Sequence, residues 1–242
     1  MIAKKTLVCI VSYNGGNFIS ECLKKIPPES ERDYDVLVCD DCSRDDSWDV
    51  IQSFQVNSVH HETRKGLGGN IKYAIKYALD NKYDTFVVMA GNNKDDPREI
   101  SRFVDKINNG YDYVQGSRFL PGGSFANLPN GRFFMVKAHA LFFSFICGFK
   151  FRFTDALNGF RAYKLSMFAD TRFNIWQDWL DNYEFEQYLQ YYATKLRYRV
   201  AEVPVSKTYP ENKKLKYSHV RPIIDWLHII KPVFYIMIGI KK

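Results

Sequence analysis

Val36-Leu-Val-Cys39 runs directly into Asp40-Asp41-Cys42-Ser43-Arg44-Asp45-Asp46-Ser47. Four apolar residues that stop at two carboxylates read as a short strand, buried on both faces of a parallel sheet, that ends where polar groups are wanted. Packing would favour apolar residues at Asp40 and Asp41. A ligand at the strand end favours carboxylates, since these accept hydrogen bonds from a base or a ribose. Asp45, Asp46 and Ser47 read as a turn, with Ser43 and Asp45 suited to cap the next helix.

The same pattern recurs on either side. Leu7 to Val11 and Thr85 to Met89 are similar apolar runs, and Val56 to His60 and Tyr111 to Val114 are weaker ones. Between them, Leu67, Ile71, Ala74, Ile75, Ala78 and Leu79 fall at helical spacing. Ile100, Phe103, Val104 and Ile107 repeat it behind Pro97, a residue suited to a first helical turn. Strands alternating with helices predict an α/β fold, a Rossmann-like and mostly parallel sheet flanked by helices. Ligands in such sheets sit outside the carboxyl ends of the strands.

The chain has 242 residues, enough for one large domain, predicted over 1–210, with a basic loop and amphipathic helices over 211–242. The formal charge of +7 suits anionic partners such as nucleotide phosphates or an acidic membrane surface. That charge is spread along the chain without a nucleic-acid motif, so nucleic acid is not an expected partner. The first residues carry no secretory signal, and five irregularly spaced cysteines suit reduced thiols in the cytoplasm. Cys39 and Cys42 are read as a packing thiol and a loop thiol, and His60 and His61 as structural or solvated.

Residues 131–149 and 220–240 are rich in aromatic and aliphatic side chains. Lys137 and His139 interrupt the first; Arg221, Asp225, His228, Lys231 and Pro232 interrupt the second. Neither is a convincing span. Both are predicted to lie on a membrane surface, which would place the protein peripherally at the inner face of the cell membrane. Packing at a domain edge is the alternative.

Ser12-Tyr13-Asn14 after the first strand, followed by the D-D-x-S-x-D-x-S run from Asp40, resembles the opening of family 2 glycosyltransferases. The nearest branch is similar to the polyprenyl-phosphate hexose synthases. Further motifs arrive in the family's order across residues 6–210: Gly66-Leu-Gly68, Asp96-Pro97, Gly116-Ser-Arg118, Thr154-Asp155 through Gly159-Phe-Arg161, and Glu202-Val-Pro-Val205. The resemblance implies a GT-A fold and inverting transfer from a nucleotide-sugar donor to a lipid-linked or cell-surface glycan precursor. A narrower reading makes polyprenyl phosphate the direct acceptor. A non-catalytic nucleotide-sugar-binding subunit is the rival from another class.

On this resemblance Ser12, Tyr13, Asn14, Asp40, Asp41, Lys65, Gly66, Gly68 and Asn92 would bind the donor. Relatives hold a divalent cation with Asp-x-Asp after the fourth strand; here Ala90 and Asn92 stand at those positions, and Lys94 replaces a glutamine. Hard cations want carboxylate oxygens, so the site is weakened. Two readings follow. Lys94 supplies the positive charge without metal, or Mg²⁺ or Mn²⁺ is held by Asn92 with Asp95 or Asp96.

Arg118 and Arg132 suit bidentate recognition of phosphate on the acceptor or donor. Asp155, with Arg161 in the same motif, would be the base for an attacking hydroxyl, or an orienting group if the acceptor is itself a phosphate. Trp179, Glu184 and Glu186 within Trp176 to Glu186 would form an acceptor subsite, against a rival role in helix packing. Lys207 to Pro210 with Lys213, Lys214 and Lys216 reads as a mobile basic loop closing on the donor, with Ser218-His219 where relatives often carry Ser-Lys.

Overall fold

A computed structural model describes residues 5–211 together with Pro232, Phe234, Tyr235 and Ile238. Lys213, Lys214, Lys216, Ser218-His219 and most of the predicted 220–240 segment lie outside the described residues.

The strands are β1 (Thr6–Ser12), β2 (Tyr34–Asp40), β3 (Asn57–His60), β4 (Thr85–Ala90), β5 (Tyr113–Ser117), β6 (Ser124–Ala126), β7 (Arg161–Lys164), β8 (Val200–Pro204) and β9 (Ser206–Thr208). Seven form one sheet in the order β3-β2-β1-β4-β7-β5-β8. Only β7 runs antiparallel to its neighbours. A parallel pair, β6 with β9, stands apart. The predicted mostly parallel α/β sheet is present. Its antiparallel member was not legible, because Arg161-Ala-Tyr-Lys164 is short and polar at both ends.

The helices are α1 (Asn17–Leu23), α2 (Ser47–Gln52), α3 (Gly66–Asp80), α4 (Ile100–Asn108), α5 (Asn130–Ile146) and α6 (Glu184–Lys195). Period-2 alternation sorts the strand side chains into two cores. Val8, Ile10, Val36, Val38, Val87 and Met89 pack with Ile19, Ile51, Phe103 and Ile107 of α1, α2 and α4. Leu7, Cys9, Leu37, Cys39, Phe86 and Val88 face Ile71, Ile75, Phe143, Phe185 and Leu189 of α3, α5 and α6. Each large aliphatic side chain so buried contributes about 1.5–3 kcal/mol. Cys9 and Cys39 meet inside this core with their sulfurs 4.0 Å apart, so both serve packing.

Gly66 and Gly68 open α3, and the close approach of neighbouring backbone explains them. Gly66 has φ +74°. A Cβ on Gly68 would collide with the Leu180 carbonyl oxygen and lie 2.9 Å from that of Asn182. The Gly69 amide donates to the Asp181 carbonyl at 3.0 Å, closing the same seam. Backbone cannot step aside as a flexible side chain can, so Gly68→Ala is expected to cost about 3 kcal/mol, the upper end for overpacking. Thermal unfolding checks this against Gly131→Ala, where a Cβ meets nothing within 4 Å and the Tm should hold.

Helix α5 buries Val136, His139, Ala140 and Phe143 at helical spacing. Its other face leaves Phe134 69%, Leu141 57% and Phe145 63% exposed. Among the described residues no helix is long and apolar enough to cross a membrane.

Candidate active site

A cleft of about 300 Å³ opens where β1, β2, β4 and β5 end. From β1 come Ser12, Tyr13 and Asn14. The Ser12 hydroxyl is buried and has no hydrogen-bond partner among the described residues, so it is available to a ligand. The Arg64 guanidinium lies 3.6 Å from the Tyr13 ring centre and donates to Asp41 at 2.8 Å. Asp41 also accepts from the backbone of Lys65 (2.6 Å) and Gly66 (3.2 Å), tying the start of α3 to the end of β2.

Asp40 departs from the expectation of a donor ligand. It is fully buried and does not line the cleft. Its oxygens accept from the Ser43 hydroxyl (2.5 Å) and amide (3.0 Å), and His60 Nδ1 lies 2.7 Å away. Asp40 therefore fixes the turn, and His60 is structural as read. Asp45 does accept from the Ser47 amide at the start of α2, at 3.1 Å. Lys65, Gly66 and Gly68 also lie outside the cleft lining, serving the α3 seam instead.

After β4, Ala90, Gly91, Asn92, Lys94 and Asp95 line the cleft. The three residues considered for a metal are not assembled as a cation site. The Asn92 side-chain oxygen accepts from the Lys94 amide at 3.3 Å. Asp95 receives the Lys207 ammonium on both oxygens, at 2.6 and 2.8 Å. Asp96 turns away to the Arg98 guanidinium, at 2.6–3.1 Å, and caps the turn before α4 through the Arg98 amide. Among the described residues no cluster of three His, Cys, Asp or Glu could hold a metal ion. These residues do not fit a divalent cation. Lys94 is pulled down to about 7, chiefly by burial and next by Lys207, with Asp95 opposing and Arg132 and Arg118 adding to the fall.

Arg118, at the end of β5, grips Asp155 with two parallel hydrogen bonds of 2.6 and 2.7 Å. Its remaining nitrogen donates to the Tyr209 hydroxyl at 2.5 Å. Both members of the ion pair are buried. Arg132 and Lys94 lie 5.7 and 5.6 Å from the Tyr209 ring centre. Asp155 itself does not line the cleft, and both its oxygens are occupied. As placed it orients Arg118, the second of the two roles expected of it.

Arg161 is likewise not at the reacting surface. It is fully buried, donates to the carbonyls of Asn158 (2.9 Å) and Ala156 (3.3 Å), and lies 3.7 Å from Glu186. It is a positioning residue beneath Glu186, which does line the cleft. Trp179 and Glu184 lie outside the lining; the Trp179 indole donates to Gln177 at 3.0 Å and packs edge-on against Tyr188. Asn182, Tyr183 and Gln187 complete that wall beside Glu186. The stretch read as an acceptor subsite holds Asn182 and Tyr183 but stops short of Gln187, although polar residues at 182, 183, 186 and 187 fall on one face of a helix start. The buried Gln187 side-chain oxygen has no partner among the described residues.

Lys94, Arg118, Arg132 and Lys207 gather in the lining, which Glu186, Gln187 and Asn182 share. Cations stabilise an anionic leaving group, whereas a carboxylate and amides accept hydrogen bonds from the hydroxyls of a sugar ring.

This sheet and cleft define a nucleotide-sugar-dependent glycosyltransferase of the GT-A fold. The chain belongs to glycosyl transferase family 2, whose model matches residues 7–182. It is 31% identical over 191 residues to an undecaprenyl-phosphate mannosyltransferase of Micrococcus luteus, covering 76% of this chain and 74% of that protein. It is 26% identical over 226 residues to a polyprenol monophosphomannose synthase of Mycolicibacterium smegmatis, covering 90% and 83%. In fold it resembles glucosyl-3-phosphoglycerate synthase from Mycobacterium tuberculosis, solved with Mn²⁺ and UDP-glucose. There the TM-score is 0.69 at 14% identity, over 99% of this chain and 81% of that one.

Proposed function

We propose that this glycosyltransferase moves a sugar, with inversion, from a nucleotide-diphosphate donor to a polyprenyl phosphate at the cytoplasmic membrane surface. One observation carries the acceptor. Arg118 and Arg132 adjoin an aromatic ledge in which Phe119, Phe125 and Phe133 meet at 5.5–5.9 Å between ring centres. The Lys137 ammonium lies 4.1 Å from the Phe119 ring centre, and the exposed face of α5 continues the apolar surface. A phosphate headgroup and an apolar tail require these two chemistries side by side. Two relatives are named for the same acceptor class.

The mechanism follows from the acceptor. A phosphate monoester oxygen is already anionic at neutral pH, so it needs no base; this accords with Asp155 being tied to Arg118. That oxygen attacks the anomeric carbon on the face opposite the nucleotide. The bond from this carbon to the diphosphate oxygen breaks, and the electron pair leaves with the nucleoside diphosphate. Ser12, Tyr13, Asn14, Asp41 and Asn92 hold the nucleotide side, Glu186 and Gln187 accept from sugar hydroxyls, and Arg132 meets the acceptor phosphate. Lys94 faces the departing diphosphate, so transfer should depend only weakly on Mg²⁺ or Mn²⁺.

The test is a panel of nucleotide sugars with undecaprenyl phosphate in detergent, with Mg²⁺, with Mn²⁺ and with EDTA. Formation of a polyprenyl-phosphate sugar of inverted anomeric configuration supports the proposal. Transfer to a lipid-linked saccharide hydroxyl, but none to the phosphate, would overturn the acceptor. The combined substitution Phe134→Ser, Leu141→Ser and Phe145→Ser should weaken co-sedimentation with anionic vesicles by about tenfold or more, because each removes buried apolar area on docking. Unchanged sedimentation would remove α5 from the membrane contact.

A further inference from the structure

Lys207 stands in β9 with 8% of its surface exposed, yet it lines the cleft. Its ammonium is held by three oxygens: Asp95 at 2.6 and 2.8 Å and the Asn158 side chain at 3.0 Å. The strand that carries it is fastened on both sides. Asp95 and Lys207 form a backbone bridge, the Thr208 amide donates to the Lys94 carbonyl at 2.9 Å, and the Ser206 amide donates to Glu99 at 2.8 Å. A carboxylate and an amide oxygen converging on one point are ligands a hard divalent ion would use. Here a side chain from the same protein occupies that point.

The geometry points to Lys207 as a tethered cation: its ammonium takes the position between Asp95, Asn158 and the donor diphosphate that a divalent ion would otherwise fill. This rests on reading the cleft as the donor site. The charges agree. With a diphosphate bound and Lys94 drawn to its charged form, Lys94 and Lys207 against one Asp95 carboxylate leave a net +1, as a divalent ion against one carboxylate would. Lys94 is then one half of the metal's replacement. A permanently attached cation also costs no binding step and cannot be chelated, whereas a weakly held ion would be lost to EDTA.

The substitution Lys207→Ala should uncover the oxygens and create a metal site. Mn²⁺ titration followed by electron paramagnetic resonance is expected to show one bound ion per chain in this variant and none in the parent. The double variant Lys207→Ala with Asp95→Asn should lose that ion again. Titration with GDP and UDP gives a second readout. Affinity in the parent should be the same in EDTA and in Mn²⁺, whereas in Lys207→Ala it should fall about tenfold in EDTA and recover with Mn²⁺. Lys207→Met, which keeps the length of the side chain, serves if the alanine variant unfolds by circular dichroism. Stoichiometric Mn²⁺ binding by the parent, or a folded variant that gains no Mn²⁺, would overturn the proposal. If neither nucleotide bound the parent, the donor-site reading would fall while the Mn²⁺ titration still judged Lys207.

Discussion

Lys94→Ala is expected to lower kcat by about 10²–10³-fold, the loss typical of one group that stabilises developing charge in a water-poor site. Lys94 lies in the cleft among Lys207, Arg118 and Arg132, all of its own sign. Such a position is costly for an ammonium in the empty protein, is offset in part by Asp95, and is relieved further by a bound anion. Removing the charge should therefore leave the Tm unchanged or raised while turnover collapses, a split that a structural lysine would not give. The pH dependence has a definite sign. Burial holds the free-enzyme Lys94 down to about 7, so it is half neutral there, and a bound diphosphate draws it back up. Donor binding then takes up a proton above pH 7, and affinity for a nucleoside diphosphate should fall by up to about tenfold per pH unit through that range. Calorimetry in buffers of different ionisation enthalpy would detect the proton. The profile should flatten in Lys94→Met.

Asp155→Ala has the second large effect, and it falls on stability. The Arg118–Asp155 pair is buried on both sides, with side-chain exposures of 3% and 0%. Deleting the carboxylate leaves the buried guanidinium with only the Tyr209 hydroxyl at the cleft wall, a loss of up to about 3–5 kcal/mol. In a chain of this size that lowers the Tm by roughly 10 °C. Asp155→Asn should be milder, since the amide keeps one acceptor and the shape. If Asp155 were instead the base, Asp155→Asn would hold its Tm and abolish turnover. Thermal unfolding and kcat measured on the same two variants separate these roles.

The frame of the fold was legible because it follows from local pattern. The apolar runs at 7–11, 36–39 and 85–89 are the central strands β1, β2 and β4, and the helical spacings after Gly66 and Pro97 are α3 and α4. The site was legible only where a residue's position along a strand decides its surroundings, as for Ser12, Asn92 and Arg118. Asp40 and Asp41 are neighbours with the same chemistry. The sequence cannot say which one turns into the cleft, since His60 and Ser43 claim Asp40 through folding. The contacts that redefine the chemistry are long-range. Lys207 meets Asp95 across 112 positions, and Arg118 meets Asp155 across 37. A glycine that admits a phosphate and one that admits the Leu180 carbonyl look the same in a sequence, so only the family resemblance points Gly66 and Gly68 to the donor.

The antiparallel strand also bears on how the chain is made. β4 needs β1 on one side and β7 on the other, but β7 is encoded after β5, β6 and α5. During synthesis the Thr85-Phe-Val-Val-Met89 ribbon leaves the ribosome long before its second neighbour exists. Until then its outer backbone groups offer a template to any passing strand. Damage to β7 beyond Arg161, at residues 162–164, should thus appear first as poor yield and inclusion bodies, with the molecules that do mature retaining nearly full specific activity. Chaperone supply during expression, more than assay conditions, would decide how such variants are judged.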